Sequence, residues 1–173
     1  DKHWSRGLGD VYKRQVHQPP MLGLALAIPE PFGVMGVVAS DDQPLLGLLS
    51  MILPCIASGN RVVAVPSLKA ALIVADFYQL LDTSDVPGGV INLVTGVPYE
   101  LATVLAAHDD VAAIWAVGPA GECEQIKKES AGNLKSVWTS DGKSPDWYDS
   151  QAEGSSWLER ATQVKNIWVP YGE

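Results

Sequence analysis

The sequence predicts an α/β fold: a parallel β-sheet with helices on both of its faces. Three observations carry this prediction. Short continuous apolar runs are typical of strands covered on both faces. Amphipathic or apolar segments of about 10–15 residues lie between them, as helices do in βαβ units. Clusters of Pro, Gly, Asp and Ser separate the two kinds of segment. The alternation therefore favours parallel strands joined by crossover helices.

The first half of the chain contains four elements with a clear type. They are strands at residues 22–28, 32–39 and 61–65 and a helix from Pro44 to about residue 58. Pro29 and Pro31 are expected to close the first strand. Ser40, Asp41 and Asp42 are expected to supply capping oxygens for the helix, since Pro44 suits a first helical turn.

The second half continues the same alternation. Its predicted elements are strands at 90–94, 111–117, 134–139 and 163–169, helices at 98–107 and 120–130, and a polar loop at 140–156. Ser67 is expected to cap a further helix, with Ile73, Phe77, Leu80 and Leu81 as its apolar stripe. The strands at the two ends of the chain break the alternation, so they could pair with each other or with another protein.

Composition excludes several classes of protein. The 173 residues are 47% hydrophobic and 18% charged, with a net charge of −8, which predicts a folded soluble domain and disfavours a nucleic-acid partner. Two cysteines exclude a disulfide scaffold and favour a reducing, cytoplasmic compartment. Residues 43–60 carry no charge, but their polar side chains and Pro54 favour a buried helix over a membrane span.

The first residues differ in character from the rest of the chain. Residues 1–15 have no clear period, and GLGDVYKRQ resembles translated sequencing-adapter read-through. The first methionine is Met21. We therefore expect residues 1–15 to be a non-native or disordered terminus, and residues 16–173 to form a single domain.

Several motifs occur in a familiar order. They are PEPFGVMGVVASDDQPL, LPCIASGNRVVAVPS, DVPGGVINLVTG, GKSP and the ending QVKNIWVPYGE. Over roughly residues 19–173 they resemble the NAD-binding region and oligomerisation strand of aldehyde dehydrogenases. DTSDVPGGVIN, SAGNLKSVW and VPYGE are most similar to the degenerate C-terminal domain of the family-16 members. The resemblance implies a Rossmann-like domain with terminal oligomerisation strands and without the family's catalytic cysteine domain.

The resemblance also implies that the catalytic residues are missing. The family's nucleophile lies in a Gly-Gln-x-Cys segment far beyond the position of GKSP, and no such segment follows here. Cys55 and Cys123 are expected to be inert, buried helix residues. Asp42 takes the position of the oxyanion-hole amide, but an ionised carboxylate donates no hydrogen bond. Thr139 takes the position of the general base and has no useful basicity.

The cofactor positions that the resemblance identifies are degenerate as well. They are Val65, Ser67, Leu68, Gly118 and Pro119. Val65 and Leu68 replace the lysine and glutamate that hold the adenosine ribose. Pro119, in the pyrophosphate segment, has no backbone N–H to offer a phosphate. Glu122 and Glu124 complement the following helix dipole themselves. NAD(P) is the cofactor of the parent family, and none is expected for this chain.

The remaining candidate residues favour structural roles. His3, His17 and His108 have no metal-ligand spacing with the cysteines, so no metal site is expected. Trp115, Trp138 and Trp168 lie on predicted strands as packing residues. Trp147 and Trp157 flank the position of the missing catalytic domain. They are expected to cover the surface that it leaves open.

Three functions remain open on the sequence. The first is a pseudoenzyme scaffold that docks through edge strands 22–28 and 163–169 on a catalytic aldehyde dehydrogenase domain or a second copy of itself. The second is a fragment of an NAD(P)-dependent aldehyde dehydrogenase whose catalytic part lies upstream of Val16. The third is a nucleotide-binding module with an altered ligand preference.

Overall fold

The computed structural model describes residues 16–17, 23–152 and 154–170, so the predictions for residues 1–15 lie outside the described part. The chain divides into two compact units. The larger is Phe32–Ala161, and the smaller joins the described residues before Phe32 to those from Thr162 onward.

The order of elements follows the predicted alternation. The strands are β1 (Val16–His17), β2 (Gly23–Pro31), β3 (Val34–Val38), β4 (Arg61–Val65), β5 (Ile91–Leu93), β6 (Ala113–Ala116), β7 (Ser136–Thr139) and β8 (Thr162–Pro170). The helices are α1 (Pro44–Ala57), α2 (Ile73–Asp82), α3 (Pro98–Ala107), α4 (Ala120–Glu129) and α5 (Ser155–Arg160). Short 3₁₀ turns lie at Leu68–Ala70, Ser130–Asn133 and Ser150–Ala152.

The larger unit is built on a five-stranded sheet in the order β5-β4-β3-β6-β7. All four strand pairs are parallel, with Val34 opposite Arg61 and Met35 opposite Ala113. The predicted α/β fold is therefore confirmed. The chain moves outward from β3 in one direction to β5, then returns to the other side of β3 for β6. That reversal is the switch point at which doubly wound sheets bind ligands.

Hydrophobic side chains cover both faces of this sheet, as predicted. One cluster includes Met35 and Val37 on the sheet and Met51 and Ile52 on α1. Val38 and Ile114 belong to a second cluster. That cluster includes Ala102 and Ala106 on α3 and Ile126 on α4. Continuous apolar strands such as β3 follow from this double cover, since neighbouring residues face opposite layers.

Helix α1 occupies most of the uncharged stretch 43–60 but starts differently from the prediction. Its N-cap is Gln43, which has a φ of 50° and makes no side-chain capping hydrogen bond. The capping roles predicted for Ser40, Asp41 and Asp42 are therefore wrong. Ser40 Oγ instead accepts from the Asp42 N–H at 3.3 Å. Among the described residues, no helix is long and apolar enough to cross a membrane.

The apolar stripe predicted after Ser67 is only partly correct. Ser67 does cap, because its Oγ accepts a 3.1 Å hydrogen bond from the Lys69 N–H, but the capped element is the 3₁₀ turn. α2 begins later, at Ile73. Phe77 and Leu81 pack against the core as predicted, together with the buried Val74. Leu80 is 62% exposed, and Ile73 is exposed as well, so these two predictions are wrong.

The segment predicted as a polar loop at 140–156 contains ordered structure at its end. It includes a 3₁₀ turn at Ser150–Ala152 and the first residues of α5. Trp147 and Trp157 are buried there. The Trp157 ring lies 5.1 Å from Trp115 and 4.9 Å from Trp138, centroid to centroid, in edge-on contacts. Both tryptophans thus cover the sheet, whereas the polar composition had suggested only a loop.

The smaller unit is an antiparallel sheet in the order β1-β2-β8, so the two terminal strands do pair with each other. β2 continues through Pro31, and the prediction that Pro29 closes it is wrong. β1 pairs only with Ala25 and Leu26, so the far end of β2 has β8 as its single described neighbour and tolerates prolines. Trp168, predicted as a packing residue, is 72% exposed on β8.

Candidate functional site

A cavity of the larger unit lies at the carboxyl ends of β3 and β6, at the switch point of the sheet. Its volume is about 650 Å³, a size typical of small-molecule sites. The lining residues from the sheet and the loops after it are Val38, Ala39, Ser40, Asp41, Asp42, Leu68, Ala116, Val117, Gly118, Pro119, Gly142 and Ser144. Those from α3, α4 and the residue before α3 are Val97, Pro98, Tyr99, Ala102, Glu122, Cys123 and Ile126.

One side of the cavity is fixed by Asp41 in the loop after β3. Its carboxylate accepts a very short hydrogen bond from the hydroxyl of Ser67, which is buried at the end of β4. Its other oxygen lies 3.6 Å from Lys69 Nζ. These contacts tie the ends of two neighbouring strands together. The sequence had suggested only a helix-capping role for Asp41, because Ser67 lies far from it along the chain.

Of three candidate residues near Asp41, Asp42 and Leu68 are exposed and Val65 is buried. Asp42 lines the cavity with an exposed side chain. Its backbone, rather than its carboxylate, bonds to Ser40 Oγ. Leu68 also lines the cavity, exposed over 58% of its surface. Val65 is fully buried in the core beneath, so it is not among the lining residues described.

The opposite side of the cavity is formed by the N-terminus of α4. Pro119 is its N-cap residue and makes no side-chain capping bond. Glu122 lies in the first turn, and a Cβ built on Gly118 would lie 3.4 Å from its Oε2. The Gly118 N–H donates to Ser140 Oγ at 3.2 Å. The Glu122 carboxylate and the Ser140 hydroxyl therefore lie beside the start of α4, where the backbone N–H groups of a helix can bind anions.

Thr139 belongs to a network outside the cavity. Its hydroxyl donates a 2.7 Å hydrogen bond to Asp141, and Lys127 Nζ lies 2.6 Å from the same carboxylate oxygen. These hydrogen bonds, from Lys127 first and Thr139 second, lower the pKa of Asp141. Gly142, with a φ of 80°, then passes over α4, where a Cβ would lie 3.2 Å from the Ala120 nitrogen. Thr139 thus supports this turn and offers no base to the cavity.

Both cysteines are buried and free, as predicted. Cys55 lies within α1, away from the cavity, and its Sγ donates to the Met51 carbonyl at 3.0 Å. Burial raises the pKa of its thiol to about 12, so the nucleophilic thiolate does not form near neutral pH. Cys123 lines the cavity, and its Sγ lies 3.4 Å from the Gly118 carbonyl oxygen.

The structure thus brings some of the predicted site residues together and leaves others apart. Asp42, Leu68, Gly118 and Pro119 line one cavity, whereas Val65, Ser67 and Thr139 are absent from its described lining. Ser140, the partner of Gly118, is not predicted as a site residue from the sequence, although its place directly after a strand is a usable signal. The described residues contain no cluster of His, Cys, Asp and Glu that could hold a metal ion.

The sequence profile of the aldehyde dehydrogenase family matches residues 3–161. The chain belongs to the aldehyde dehydrogenase family. It is 33% identical over 135 residues to the NADP/NAD-dependent aldehyde dehydrogenase PuuC of Escherichia coli, covering 78% of this chain and 26% of that protein. It is 36% identical over 107 residues to 2-aminomuconic semialdehyde dehydrogenase of Mus musculus, covering 62% of this chain and 22% of that protein. The chain therefore spans about a quarter of the length of these relatives.

Solved structures of aldehyde dehydrogenases share the fold. An apo indole-3-acetaldehyde dehydrogenase superposes with a TM-score of 0.69 at 29% identity, covering 81% of this chain and 33% of that one. A P. syringae indole-3-acetaldehyde dehydrogenase mutant in complex with NAD+ and IAA gives 0.67 at 29% identity, covering 79% and 28%. The α/β architecture is thus that of the family.

The cavity of this aldehyde dehydrogenase family member is lined by negative rather than positive side chains. Among its described lining residues there are three carboxylates, Asp41, Asp42 and Glu122, and no lysine or arginine. Phosphates bind through cations and free N–H groups. Here Pro119 has no N–H, and the Gly118 N–H is bonded to Ser140. The described lining therefore offers a phosphate no cationic side chain and no donor at Gly118 or Pro119.

Proposed function

We propose that this chain is a non-catalytic aldehyde dehydrogenase-like domain that acts as an assembly or stabilising scaffold for a catalytic half. One observation carries the proposal: β8 is a nine-residue strand paired on one side with β2, and no described strand pairs with its other side. An unpaired edge of this length is a template for strand addition from another chain. The same proposal places the chain in the cytoplasm.

The side chains of β8 support docking at this edge. Trp168 and Val169, on opposite faces of the strand, are both exposed. Toward the other end, Lys165 pairs with Glu30 of β2 at 3.2 Å, and Gln163 donates to the same residue at 3.3 Å. Both contacts follow from the register of β2 and β8, in which Glu30 lies opposite Gln163. The apolar end then offers an aromatic anchor of the kind that dominates protein interfaces.

The loss of catalytic chemistry supports the scaffold over an active enzyme. Asp42, at the family's oxyanion position, carries an exposed carboxylate rather than an amide donor. Thr139, at the position of the general base, is hydrogen-bonded to Asp141. Neither residue can replace the group that aldehyde oxidation requires. The partner in this proposal is a catalytic aldehyde dehydrogenase domain or a second copy of this chain.

Sedimentation velocity of the full chain tests the proposal, alone over a range of concentrations and mixed with a catalytic aldehyde dehydrogenase domain. We expect a complex in at least one of these conditions, and a Trp168→Lys variant should weaken it by at least about tenfold, because a buried aromatic anchor contributes about 2 kcal/mol or more. Val104→Lys is the matched control, since Val104 is an exposed apolar residue on α3. A monomer in every condition would contradict the proposal.

A second candidate function is that the chain is a fragment of an NAD(P)-dependent oxidoreductase acting on aldehydes, with its catalytic part upstream. The observation in its favour is the coverage of only 26% and 22% of the two relatives' lengths. Sequencing the genomic DNA upstream of Val16 distinguishes the two. An in-frame Gly-Gln-x-Cys segment there would support the fragment, and an in-frame start codon just before Val16 would support the standalone scaffold.

A further inference from the structure

We infer that the 650 Å³ cavity is a binding site for an organic amine, a cationic head on an apolar body, rather than for a phosphate-bearing ligand. The inference concerns this cavity alone and is independent of the docking edge on β8. It rests on the position of the cavity, its apolar floor and the sign of the charges around it.

The position is that of a ligand site in any open parallel sheet. The cavity lies beyond the carboxyl ends of β3 and β6, the two strands between which the chain reverses direction. Loops diverge from each other at such a point and leave a crevice that the helices do not fill. The sheet topology therefore accounts for a cavity here without regard to which ligand occupies it.

The floor of the cavity suits an apolar body. Val38, Ala102, Ala116, Val117 and Ile126 are buried lining residues from both strands and two helices. Tyr99 adds an aromatic ring at the start of α3. Apolar walls with a few polar groups at one end are the usual form of a small-molecule site.

The negative charges that line the cavity favour a ligand with a cationic head group. Asp41 is partly compensated by Lys69, which lies 3.6 Å away, but no described ion pair involves Asp42 or Glu122. Glu122 has the most telling position, because its carboxylate lies against Gly118 at the N-terminus of α4 and its full negative charge exceeds the partial positive charge of that helix end. A phosphate entering there would meet a negative charge, whereas an ammonium group would gain a partner. An exposed aromatic ring such as Tyr99 can add a cation–π contact.

Glu122 is thus the residue that determines whether a positively or a negatively charged ligand is preferred. Glu124 provides the comparison, since it lies on the same helix two residues later, is exposed, and is absent from the described lining. Replacing either by glutamine changes the net charge equally and leaves the shape of the side chain nearly unchanged. Only the replacement at position 122 changes the charge within the cavity.

Calorimetric titration of the full chain tests the inference with 4-phenylbutylamine, its matched anion 4-phenylbutyrate, and NAD+. We expect saturable binding of the amine with a rise in Tm, weaker binding of the anion by at least about tenfold, and weakening with salt. Glu122→Gln should weaken amine binding by roughly fivefold, the effect of one partly exposed ion pair, and Glu124→Gln should leave it unchanged.

Circular dichroism checks that both variants keep the fold. Equal affinity for the amine and the anion, tighter binding of NAD+ than of the amine, absence of amine binding at millimolar concentration, or equal weakening by the two variants would each overturn the inference. Because the readout is ligand binding by the chain alone, its failure is distinguishable from a failure to assemble through β8.

Discussion

The side-chain amide of Asn60 donates a 2.8 Å hydrogen bond to the backbone carbonyl of Ala161, 101 residues further along the chain. The same amide nitrogen donates to the Cys55 carbonyl at 3.0 Å, and its oxygen accepts from the Gly33 N–H at 3.0 Å. Asn60 is only 2% exposed. One buried side chain thus joins the start of β3, the end of α1 and the end of α5.

Replacing Asn60 by alanine should lower the free energy of unfolding by about 3 kcal/mol. The reason is that the Gly33 N–H and the Ala161 carbonyl would lose their side-chain partner, whereas the Cys55 carbonyl would still accept from the backbone N–H of residue 60. Each unsatisfied group costs about 1–3 kcal/mol when water cannot replace it. Urea denaturation followed by circular dichroism measures the change. Asn92→Ala is the control: its amide donates to two carbonyls but is exposed, so we expect a loss of about 1 kcal/mol or less. Equal losses in the two variants would contradict the explanation.

A second prediction concerns the contact between Gly47 in α1 and Trp147. A Cβ on Gly47 would lie 2.7 Å from the indole Nε1, closer than packing allows. Alanine should gain about 1 kcal/mol from helix propensity but lose about 1–3 kcal/mol to overpacking, so we expect Gly47→Ala to be destabilising. In a Trp147→Leu background the same substitution should become stabilising. Urea denaturation of the four proteins of this cycle measures the sign, and a stabilising Gly47→Ala in the native background would contradict the contact.

The sequence predicts the exact first and last residues of an element where the signals for its ends lie close by in the chain. β4 begins after the Gly59-Asn60 helix stop and ends before Pro66, and the helix over Pro98–Ala107 begins with the proline that its first turn accepts. Both signals lie within a few positions of the boundary. Residue propensities and turn chemistry therefore suffice to predict the ends of these two elements.

The features that the sequence does not predict depend on partners distant in the chain. Asp41 precedes a helix and so resembles a helix cap. Its hydrogen-bond partner, the Ser67 hydroxyl, lies after the next strand and is distant in sequence. Trp168 lies in an apolar strand, yet its exposure depends on whether another element covers that face of β8. Asp42, Gly118 and Pro119 line the same cavity, because strand ends meet at one edge of a parallel sheet.

Replacing a buried tryptophan should destabilise the chain more than replacing an exposed one. Trp157 packs against Trp115, Trp138 and Trp147, and the guanidinium of Arg160 lies 5.5 Å from its ring centroid. Trp157→Ala should destabilise the chain by about 3–5 kcal/mol, the cost of removing a large buried ring. Trp168→Ala, at an exposed ring, should stay within about 0.5 kcal/mol. Thermal unfolding followed by circular dichroism compares them, and similar shifts in Tm would show that Trp157 is not buried as described.

The last prediction concerns the dependence of stability on pH through Cys55. Burial raises the pKa of its thiol from the ordinary 9.0 to about 12 in the folded state. As the pH rises above 9.0, the unfolded chain loses this proton while the folded chain keeps it. The contribution of Cys55 is thus fully present below 9.0 and declines above it, by up to about 1.4 kcal/mol per pH unit.

A Cys55→Ala variant isolates this contribution from the other groups that titrate in alkali. The free energy of unfolding, measured in urea over about 1.5 pH units above 9.0, should fall more steeply for the native chain than for the variant. Below that range the two curves should run parallel, offset by the cavity that the substitution leaves. Parallel curves throughout would mean that the Cys55 thiol ionises as readily in the folded chain as in the unfolded one.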